Sequence, residues 1–506
     1  MDYTHSSTAS QRVCWISELL AHEGSYGVIS QMSRNSGVSR QTLYGWKAKG
    51  QRALEQVLAP RKQQEQAAEP FDLDRAVLTL LVEGHASYRG IQACLASLLG
   101  KQVSLGTIVA IVQQAGERAH QWLRQHAPSS ERALALDELY SSQRGEAYLN
   151  VVDVHSAAVW ATTSPVAVDG ESWTRLVWQV QEQGLRWQTT VSDGGKAIQE
   201  ALQTVVPSHV FQRDVWHVLH ECQKVQGRVD RLVTQLQEQT KTVTRQAERL
   251  AKGQKPLGAH PVSDVAAHAT RLRRAQDTAL SLHYLSSELR RLLEVVVLAP
   301  AEQGVLSSHQ RGEELAVLLV LWAELGEQAP EGVQRDLKAL YRHVQLALPH
   351  LVVFASGLEQ VQQAASEQLG AAAVSLIGWA GPRRAILGPR CEQLVAGFPE
   401  AWRLMALRLL RAWDAVVRES LVVENWHSIL RPYLAVHRQL STGLLAVLAV
   451  WHNHRVAPRG LHQGHSPLQR SGFSDLSSDW LVALGYPPTP GTCCSAVLAD
   501  EEALVA

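Results

Sequence analysis

The sequence has few cysteines and no long apolar run, and each absence excludes a class of protein. Its 506 residues include 6 cysteines, and no two of them stand in C-x-x-C spacing. This usage argues for a reducing compartment and against a zinc site, although the adjacent Cys493 and Cys494 could form a reactive pair. No run of about 18 apolar residues occurs, so we expect no membrane span. The stretch MDYTHSSTASQRVC also lacks the apolar core of a signal peptide.

The sequence also has no excess of charge of either sign. Lysine plus arginine and aspartate plus glutamate number 48 each, so the formal net charge is zero. This balance neither supports nor excludes a nucleic-acid partner, because the placement of the charges matters more than their sum. A chain of this length should hold several domains, since single hydrophobic cores stop growing at about 250–300 residues.

The stretch from residue 187 to residue 220 has the pattern around which the rest of the chain is organised. A β-type run ends at Asp193 and two glycines, a helical run follows, and a second apolar run leads to Asp214 and His217. An acidic residue just after a strand places its carboxylate at the rim of the sheet, where α/β proteins carry out chemistry. The alternative is that Asp193 is a helix N-cap. Partners for Asp193 elsewhere in the chain favour the first interpretation.

Residues 11–50 have the pattern of helices separated by a tight turn. The turn is Asn35-Ser36-Gly37, and Ser39 then caps a helix that ends at Gly50. This order predicts a helix-turn-helix, whose second helix lies in the major groove of DNA, although a plain three-helix domain gives a similar pattern. The expected base-reading residues are Arg40, Gln41, Thr42 and Tyr44, with Lys47 and Lys49 at phosphates and Val38, Leu43 and Trp46 in the core.

A glutamine-rich linker at 61–70 precedes a second set of predicted helices. In that set Gly100 ends one helix and Ser104 caps the next, which suggests a second helix-turn-helix-like domain. Arg89, Lys101 and Thr107 would then touch DNA, and a purely structural helical domain is the alternative.

From residue 132 the apolar pattern becomes that of strands. RALALDELY, EAYLNVVDVHS and AAVWATTSPVA read as three strands, followed by a helix, a strand, a helix and a strand. Three antiparallel strands followed by β–α–β units predict a mixed α/β sheet. Asp137 lies in the first strand and Asp193 ends the fourth, so the two carboxylates can meet at the centre of the sheet.

A long helical region begins at Val218. Its apolar residues recur at spacings of mostly three, four or seven as far as Leu250, and further helices continue to about residue 410. We interpret the region as an all-helical insertion, because the helix RAWDAVVRESLVVENWHSILRPYL after it supplies a third acid, Glu424.

Asp137, Asp193 and Glu424 have the chemistry for phosphoryl transfer if the fold brings them together. Three carboxylates can hold two divalent cations about 3.5–4 Å apart, an arrangement used for in-line displacement at phosphorus. Mg²⁺, or Mn²⁺ in its place, suits such a site because it takes carboxylates and completes its shell with water and phosphate oxygens. The nearby acids that compete for these roles are Glu138, Asp153 and Asp214.

Four stretches occur in the order LALDELY, TVSDGGKAI, RDVWHV and VVENWHSILRPYLAVHRQL, with WHNHRVAPRG and GHSP after the last. Together they resemble the bacterial insertion-sequence transposases of the DDE type, which have an RNase H-like catalytic domain. RDVWHV is similar to the D-x-x-H signature of members with an α-helical insertion domain. The resemblance covers residues 1 to about 470, and its strength lies in the order of these short motifs.

The resemblance implies that Asp137, Asp193 and Glu424 are catalytic and bind metal. It further implies that His217 orients the scissile phosphate or a metal-bound water, with Asp214 as its partner. A core histidine is the alternative for His217.

Near the end of the resemblance, WHNHR at 451–455 is superficially similar to an H-N-H nuclease motif, but it lacks the hairpin and the spacing of that motif. We expect Asn453 and Arg455 to be polar residues at a helix end near DNA, and Arg431 to bind DNA as well.

The expected fold class is a mixed α/β RNase H-like core with N-terminal helix-turn-helix domains and a large all-helical insertion. The expected boundaries are a first DNA-binding domain at 1–60, a linker at 61–70, a second helical domain at 71–128, a catalytic core at 129–224 and 411–470, an insertion at 225–410, and a tail at 471–506.

The expected function is that of a DNA transposase, which binds the ends of its element and catalyses metal-dependent strand cleavage and transfer. The implied partners are double-stranded DNA, as terminal inverted repeats and target, and further copies of the chain, as a homodimer or higher oligomer on DNA. The implied location is the bacterial cytoplasm, at the nucleoid. The alternatives are a non-catalytic DNA-binding regulator derived from such an enzyme and a structure-specific RNase H-type nuclease.

Overall fold

The structure is a computed structural model. The residues that it describes are 8–22, 24–58, 71–128, 131–255, 264–297, 306–381, 389–460 and 462–488. The predicted linker at 61–70 and the pair Cys493 and Cys494 lie outside the described residues. The chain forms two compact units, the first with the residues up to Leu73 and the second from Asp74 to Pro488.

The first unit contains three helices, α1 (Ala9–Ala21), α2 (Val28–Ser36) and α3 (Arg40–Leu58). As predicted, Gly37 ends α2 in the left-handed region with φ 74°, and the Ser39 hydroxyl accepts a 3.1 Å hydrogen bond from the Thr42 N–H. The helix α3 does not end at the predicted Gly50. A Cβ atom there would lie 2.3 Å from Cγ2 of Ile16, so this glycine allows α3 to pass close to α1. The small core consists of Leu19, Met32 and Leu43, with Val38 and Trp46 among the residues packed against it.

The second unit begins with three further helices, α4 (Leu73–Val82, whose first residue lies at the boundary), α5 (Tyr88–Leu99) and α6 (Leu105–Gln125). The predicted turn is confirmed. Gly100 ends α5 with φ 62°, and the Ser104 hydroxyl accepts a hydrogen bond from the Thr107 N–H at 3.0 Å.

A mixed sheet follows, as predicted. Its elements in chain order are β1 (Arg132–Tyr140), β2 (Glu146–Asp153), β3 (Val159–Thr162), β4 (Val166–Ala167), α7 (Gly170–Glu182), β5 (Trp187–Ser192), α8 (Lys196–Val205) and β6 (Val210–Arg213). The strand order is β3-β2-β1-β5-β6, and β4 pairs with β2. β1 is central, antiparallel to β2 and parallel to β5. The third predicted strand is split by Ser164-Pro165, because proline has no N–H for the ladder.

A large helical region comes next, and its existence confirms the prediction. Its helices are α9 (Val215–Ala251), α10 (Val265–Leu292), α11 (Ser308–Gln328), α12 (Glu331–Leu351), α13 (Val353–Leu369), α14 (Ala372–Ala380), α15 (Pro389–Val395) and α16 (Glu400–Asp414). Two apolar clusters stabilise it, one along α9 to α13 and the other around α14 and α16. α9 starts three residues before the predicted Val218, directly after Asp214.

By length and composition alone, the stretch Glu331–Leu369 is long and apolar enough to cross a membrane. It is interrupted at Val352, and it carries buried residues such as Leu337, Leu340 and Val344 that belong to the cluster along α9 to α13. We therefore interpret it as two core helices of a packed domain.

The last helices are α17 (Leu421–Val436), α18 (Thr442–His454), α19 (Pro467–Arg470) and α20 (Trp480–Ala483). The prediction of one helix through residues 411–434 is wrong, since α16 ends at Asp414 and α17 starts at Leu421. The segment between them is held in another way. The Val215 N–H donates to the Arg418 carbonyl at 3.0 Å, and the Ser420 N–H donates to Asp214 at 2.9 Å.

α6 and α18 cross at two glycines. A Cβ atom at Gly116 would lie 2.6 Å from the Cα of Gly443, so Gly116 has no room for a side chain, whereas a Cβ atom at Gly443 would lie 3.4 Å from the Cα of Gly116. The Tyr433 hydroxyl also donates to the carbonyl of Val82 in α4. The helices at 73–125 therefore pack directly against the last helices of the chain.

Gly116→Ala should lower the midpoint of urea unfolding of the second unit. The added methyl group forces α6 and α18 apart, and overpacking of this kind typically costs about 1–3 kcal/mol. The matched control is Gly227→Ala in α9, where no atom lies within 4 Å of the new Cβ. That variant should be neutral or gain about 0.5–1 kcal/mol from helix propensity. Equal effects of the two substitutions would contradict the close helix crossing.

Candidate active site

Two of the predicted acids come together on one face of the sheet. Asp137 lies in β1 with 7% of its surface exposed, and α17, which carries Glu424 in its first turn, packs on β1 and β2. Asp137, Glu424 and His427 each offer one possible ligand atom, and these atoms lie within 4.8 Å of one another. The segments before and after the helical region therefore contribute to a single site.

Asp193 directly follows β5, the parallel neighbour of β1, and it lies at the margin of this group rather than within it. Its Oδ1 accepts a 2.8 Å hydrogen bond from the Gly195 N–H, and its charge raises the pKa of both Asp137 and Glu138. The residue that caps α8 is Gly195, without a side-chain hydrogen bond. Asp193 is therefore not the N-cap of α8, and its carboxylate stands at the rim of the sheet.

Burial is the main cause that raises the pKa of Asp137 to about 7. The negative charges of Asp193 and Glu138 add to the increase, whereas the hydrogen bond from the Glu138 N–H at 2.8 Å and the charge of His217 oppose it. A carboxyl group that holds its proton near neutral pH in this setting is one that a nearby cation would ionise.

His427 is a residue of the site that the sequence reasoning missed, although its i, i+3 spacing from Glu424 on a helix was a usable signal. It is 2% exposed, and burial lowers its pKa to about 4, so its ring is neutral. Its Nε2 lies 3.1 Å from Nδ2 of Asn150, the residue that pairs with Asp137 across β1 and β2.

The Asn150 amide decides which nitrogen of His427 carries the proton. Its Oδ1 accepts hydrogen bonds from Trp426 Nε1 at 3.0 Å and from the Thr162 hydroxyl at 2.8 Å, so its Nδ2 must be the donor. His427 Nε2 therefore accepts, and the ring proton is on Nδ1, which lies 3.9 Å from Oε2 of Glu424. The protonated Nδ1 of His427 therefore faces Glu424 from beyond the distance of a direct hydrogen bond.

Asp214 and His217 form a buried pair at the start of α9. Oδ1 of Asp214 accepts from the His217 N–H at 3.2 Å, and Oδ2 lies 3.0 Å from the His217 Nδ1. Oδ2 also accepts from the N–H and the hydroxyl of Ser420. Burial by itself would lower the pKa of His217, but Asp214 and the nearby carboxylates outweigh it and raise that pKa.

The competing acids differ sharply in position. Asp153 is fully buried at the other end of β1, opposite Leu134, where it accepts from the N–H groups of His155 and Ser156. It is a turn-capping residue. Glu138 accepts a 2.9 Å hydrogen bond from Trp173 Nε1 and lies beside Asp193, and burial raises its pKa.

The predicted DNA contacts near the chain's end divide into three cases. Arg431 Nη2 lies 3.2 Å from Oε2 of Glu424, with 58% of its side chain exposed. Arg455 is exposed after α18, with its guanidinium 5.2 Å from the centre of the Trp451 ring. The expectation for Asn453 is wrong. It is fully buried, and its amide bonds to both the N–H and the carbonyl of Val159, so it completes the edge of β3.

The predicted base-reading residues lie on one helix of the first unit. Lys47 is half-buried, while the others are exposed, and they are Arg40, Gln41, Thr42, Tyr44 and Lys49. Leu43 and Trp46 point into the core of that unit, as predicted.

Comparison with protein families shows what the middle of the chain is similar to. The family described as "Transposase, Mutator family" matches residues 53–252, which is less than half of the chain. The matched segment contains the whole sheet with Asp137, Asp193, Asp214 and His217, and it ends before Glu424. This match supports a transposase. The comparison with curated proteins gave no match.

Asp137→Asn should stabilise the protein at pH 8 in a metal-free buffer. Because the folded-state pKa is raised to about 7, the buried charge destabilises the fold most above that pH. The stabilisation by Asn should therefore shrink as the pH falls from 8 towards 4, where the unfolded chain also binds the proton. Thermal unfolding at pH 5 and pH 8 measures this difference.

The control for this experiment is Asp153→Asn, which should destabilise at both pH values because it weakens a buried turn cap. Added Mg²⁺ at pH 8 should raise the unfolding midpoint of the wild type and leave that of Asp137→Asn unchanged. If the wild type and Asp137→Asn had the same unfolding midpoint at pH 8, the buried charge of Asp137 would not destabilise the fold, and the prediction would be wrong.

Proposed function

We propose that this chain is a DDE transposase with an RNase H-like catalytic core. One observation carries the proposal: Asp137 in β1 and Glu424 in α17 come together although they are far apart in the chain. Asp193, which follows the neighbouring strand β5, lies near enough for its charge to raise the pKa of Asp137 further, beyond the larger effect of burial. The strand order supports the RNase H-like assignment, since the central strand carries the first acid between an antiparallel and a parallel neighbour. The match to Mutator-family transposases supports the reaction class.

The donor set fits Mg²⁺ or Mn²⁺. Asp137, Asp193 and Glu424 offer hard carboxylate oxygens, which these ions prefer, and the raised pKa of Asp137 marks an uncompensated acid among them. When bound, such ions help to activate the attacking oxygen and to stabilise the leaving oxygen in phosphoryl transfer.

The chain's other side chains hold and orient these groups. Asp214 fixes the His217 ring through Nδ1, so His217 Nε2 is the atom left to donate a proton to a phosphate oxygen. His427 lies beside Glu424 with Nδ1 3.9 Å from Oε2, so its ring borders this carboxylate without a direct hydrogen bond. Arg431 stands beside Glu424 as an exposed cation that suits the DNA backbone.

The first unit supplies the recognition of DNA in this proposal. Its exposed residues Arg40, Gln41 and Thr42 lie in the first turn of α3, the part of a recognition helix that contacts base edges. The partners are then double-stranded DNA, as element ends and target, and further copies of the chain on that DNA. The place of action is the bacterial nucleoid.

Replacing Asp137, Asp193 or Glu424 by Ala should abolish Mg²⁺-dependent cleavage of DNA. The rate should fall by orders of magnitude, because a positioned ion is lost with its ligand. The substrate is the DNA that flanks the gene, and strand cleavage is measured in each variant beside the wild type. Binding of the same DNA should survive, since the first unit carries it.

The control for this series is Asp153→Ala, assayed at a temperature at which it remains folded. It should keep the chemical step, because it lies at the opposite end of β1. DNA binding without cleavage by the wild type would favour the non-catalytic regulator. Cleavage of RNA–DNA hybrids without preference for the flanking DNA would favour the RNase H-type nuclease.

Arg40→Ala should weaken binding to the element end more than binding to random DNA. A base contact of this kind is worth about 1–3 kcal/mol. The measurement compares the two dissociation constants for the full chain at one salt concentration. Gln51→Ala, on an exposed part of α3 away from its first turn, is the control. Equal losses on both DNAs would assign Arg40 to the backbone only.

A further inference from the structure

A cavity of about 440 Å³ opens beside Asp193, between the end of the sheet and the helical region. Its sheet side is formed by Asp193, Arg213 and His217, and its far side by His343 and Leu340 of α12. The volume is within the range of about 300–1,000 Å³ that is typical of ligand sites. The cavity is therefore large enough for part of a ligand that also reaches the carboxylates.

The turn that carries Asp193 is shaped to receive Arg213. A Cβ atom at Gly194 would lie 1.5 Å from Nη1 of Arg213, so the guanidinium occupies the place of a side chain. Gly194 also has φ 76°, which an L-residue rarely adopts. The sequence Asp193-Gly194 thus fixes a carboxylate and a guanidinium side by side at the rim of the sheet.

Two nitrogen atoms in the cavity walls lack partners. Arg213 Nε and His343 Nε2 are both buried, and neither has a hydrogen-bond partner among the described residues. Buried polar nitrogens are normally satisfied. Arg213 Nε is a donor, and His343 Nε2 is one in the tautomer that carries its proton there. Both residues line the cavity, so a ligand bound there can supply the missing acceptor.

The cavity's other two basic side chains are already neutralised. Lys224 lies 2.6 Å from Glu221, and Arg228 lies 2.5 Å from Asp336. Arg213 forms no ion pair within the described part of the chain, and it keeps its charge at neutral pH even though burial lowers its pKa. Arg213 is therefore the arginine of the cavity without an ion-pair partner within 4 Å in the described part of the chain, although the charges of Asp193 and Asp214 act on it from nearby.

We propose that Arg213 and His343 form an anion subsite that binds a DNA backbone phosphate next to the scissile one, on the same strand. This inference rests on the proposed function and extends it to a neighbouring nucleotide. A guanidinium and a neutral imidazole N–H are suitable donors for a phosphate oxygen. The apolar wall formed by Val225, Ala339 and Leu340 faces the less polar parts of that nucleotide.

The salt dependence of DNA binding tests the subsite. The full chain is titrated in EDTA with a fluorescent single-stranded DNA of 12 thymidines at several salt concentrations. Removal of one phosphate contact should reduce the slope of log K against log salt by about 0.7. We expect this reduction in Arg213→Gln, together with an affinity loss of roughly tenfold. His343→Gln should weaken binding with little change in slope, because His343 is neutral.

The matched control is Arg228→Gln, which removes a guanidinium that Asp336 already neutralises and should leave the slope near that of the wild type. A structural role for Arg213 would lower the unfolding midpoint without changing the slope. Arg213→Lys, which keeps the charge, should restore the slope but not the full affinity. An Arg213→Gln slope equal to that of the wild type would overturn the proposal.

Addition of inorganic phosphate distinguishes a DNA backbone phosphate from a free anion as the ligand of the cavity. If it raises the unfolding midpoint of the wild type but Arg213→Gln leaves the DNA slope unchanged, the cavity binds free anions and the DNA subsite is wrong. The test is also distinct from that of the transposase proposal. If the wild type cleaves no DNA but its salt slope still depends on Arg213, the catalytic function is wrong and the phosphate subsite stands.

Discussion

The buried carboxylate of Asp214 is the interaction on which the rest of the site depends. Asp214 directly follows β6. Its carboxylate caps α9, lies 3.0 Å from Nδ1 of His217 and accepts two hydrogen bonds from Ser420, 206 residues later in the chain. Burial of a carboxylate is costly unless its oxygens are hydrogen-bonded. The fold is therefore most stable when Asp214 keeps all of these partners at once. Because Ser420 directly precedes α17, this one carboxylate sets where Glu424 stands relative to the sheet.

The helical region is tied to the sheet at a second point. The buried Gln212 of β6 donates to the carbonyl of Leu351 at 3.1 Å and accepts from the Phe354 N–H at 2.8 Å. These bonds bind the junction of α12 and α13, and hence the far wall of the cavity beside Asp193, to the strand that carries Arg213. The helical region therefore contributes to the surroundings of the carboxylates, although it supplies none of the three acids.

The cluster of acids opposes folding and favours ligand binding for the same reason. Asp137 and Glu138 are partly or fully removed from water next to Asp193, and burial with mutual repulsion raises the pKa of both. A bound cation would relieve this repulsion, and the free energy released would favour binding of the ion. Asn150 and Trp173 limit the rearrangements by which the free protein could relieve it, because they hold His427 and Glu138 in place.

Much of the architecture was determined by local sequence. The apolar run in RALALDELY, the glycines at 37 and 100 and the caps Ser39 and Ser104 act over a few residues, and the structure has the elements they predict. The split of the third predicted strand at Pro165 is also local, although the sequence analysis read that stretch as one strand. Only the tertiary structure decided which polar residues meet. Asn453 and Arg455 are both polar residues of the same WHNHR stretch, yet Asn453 is buried against β3 and Arg455 is exposed. The break before α17, the role of His427 and the cavity at Arg213 all depend on contacts between residues far apart in the chain, and such contacts leave no periodic signal in the sequence.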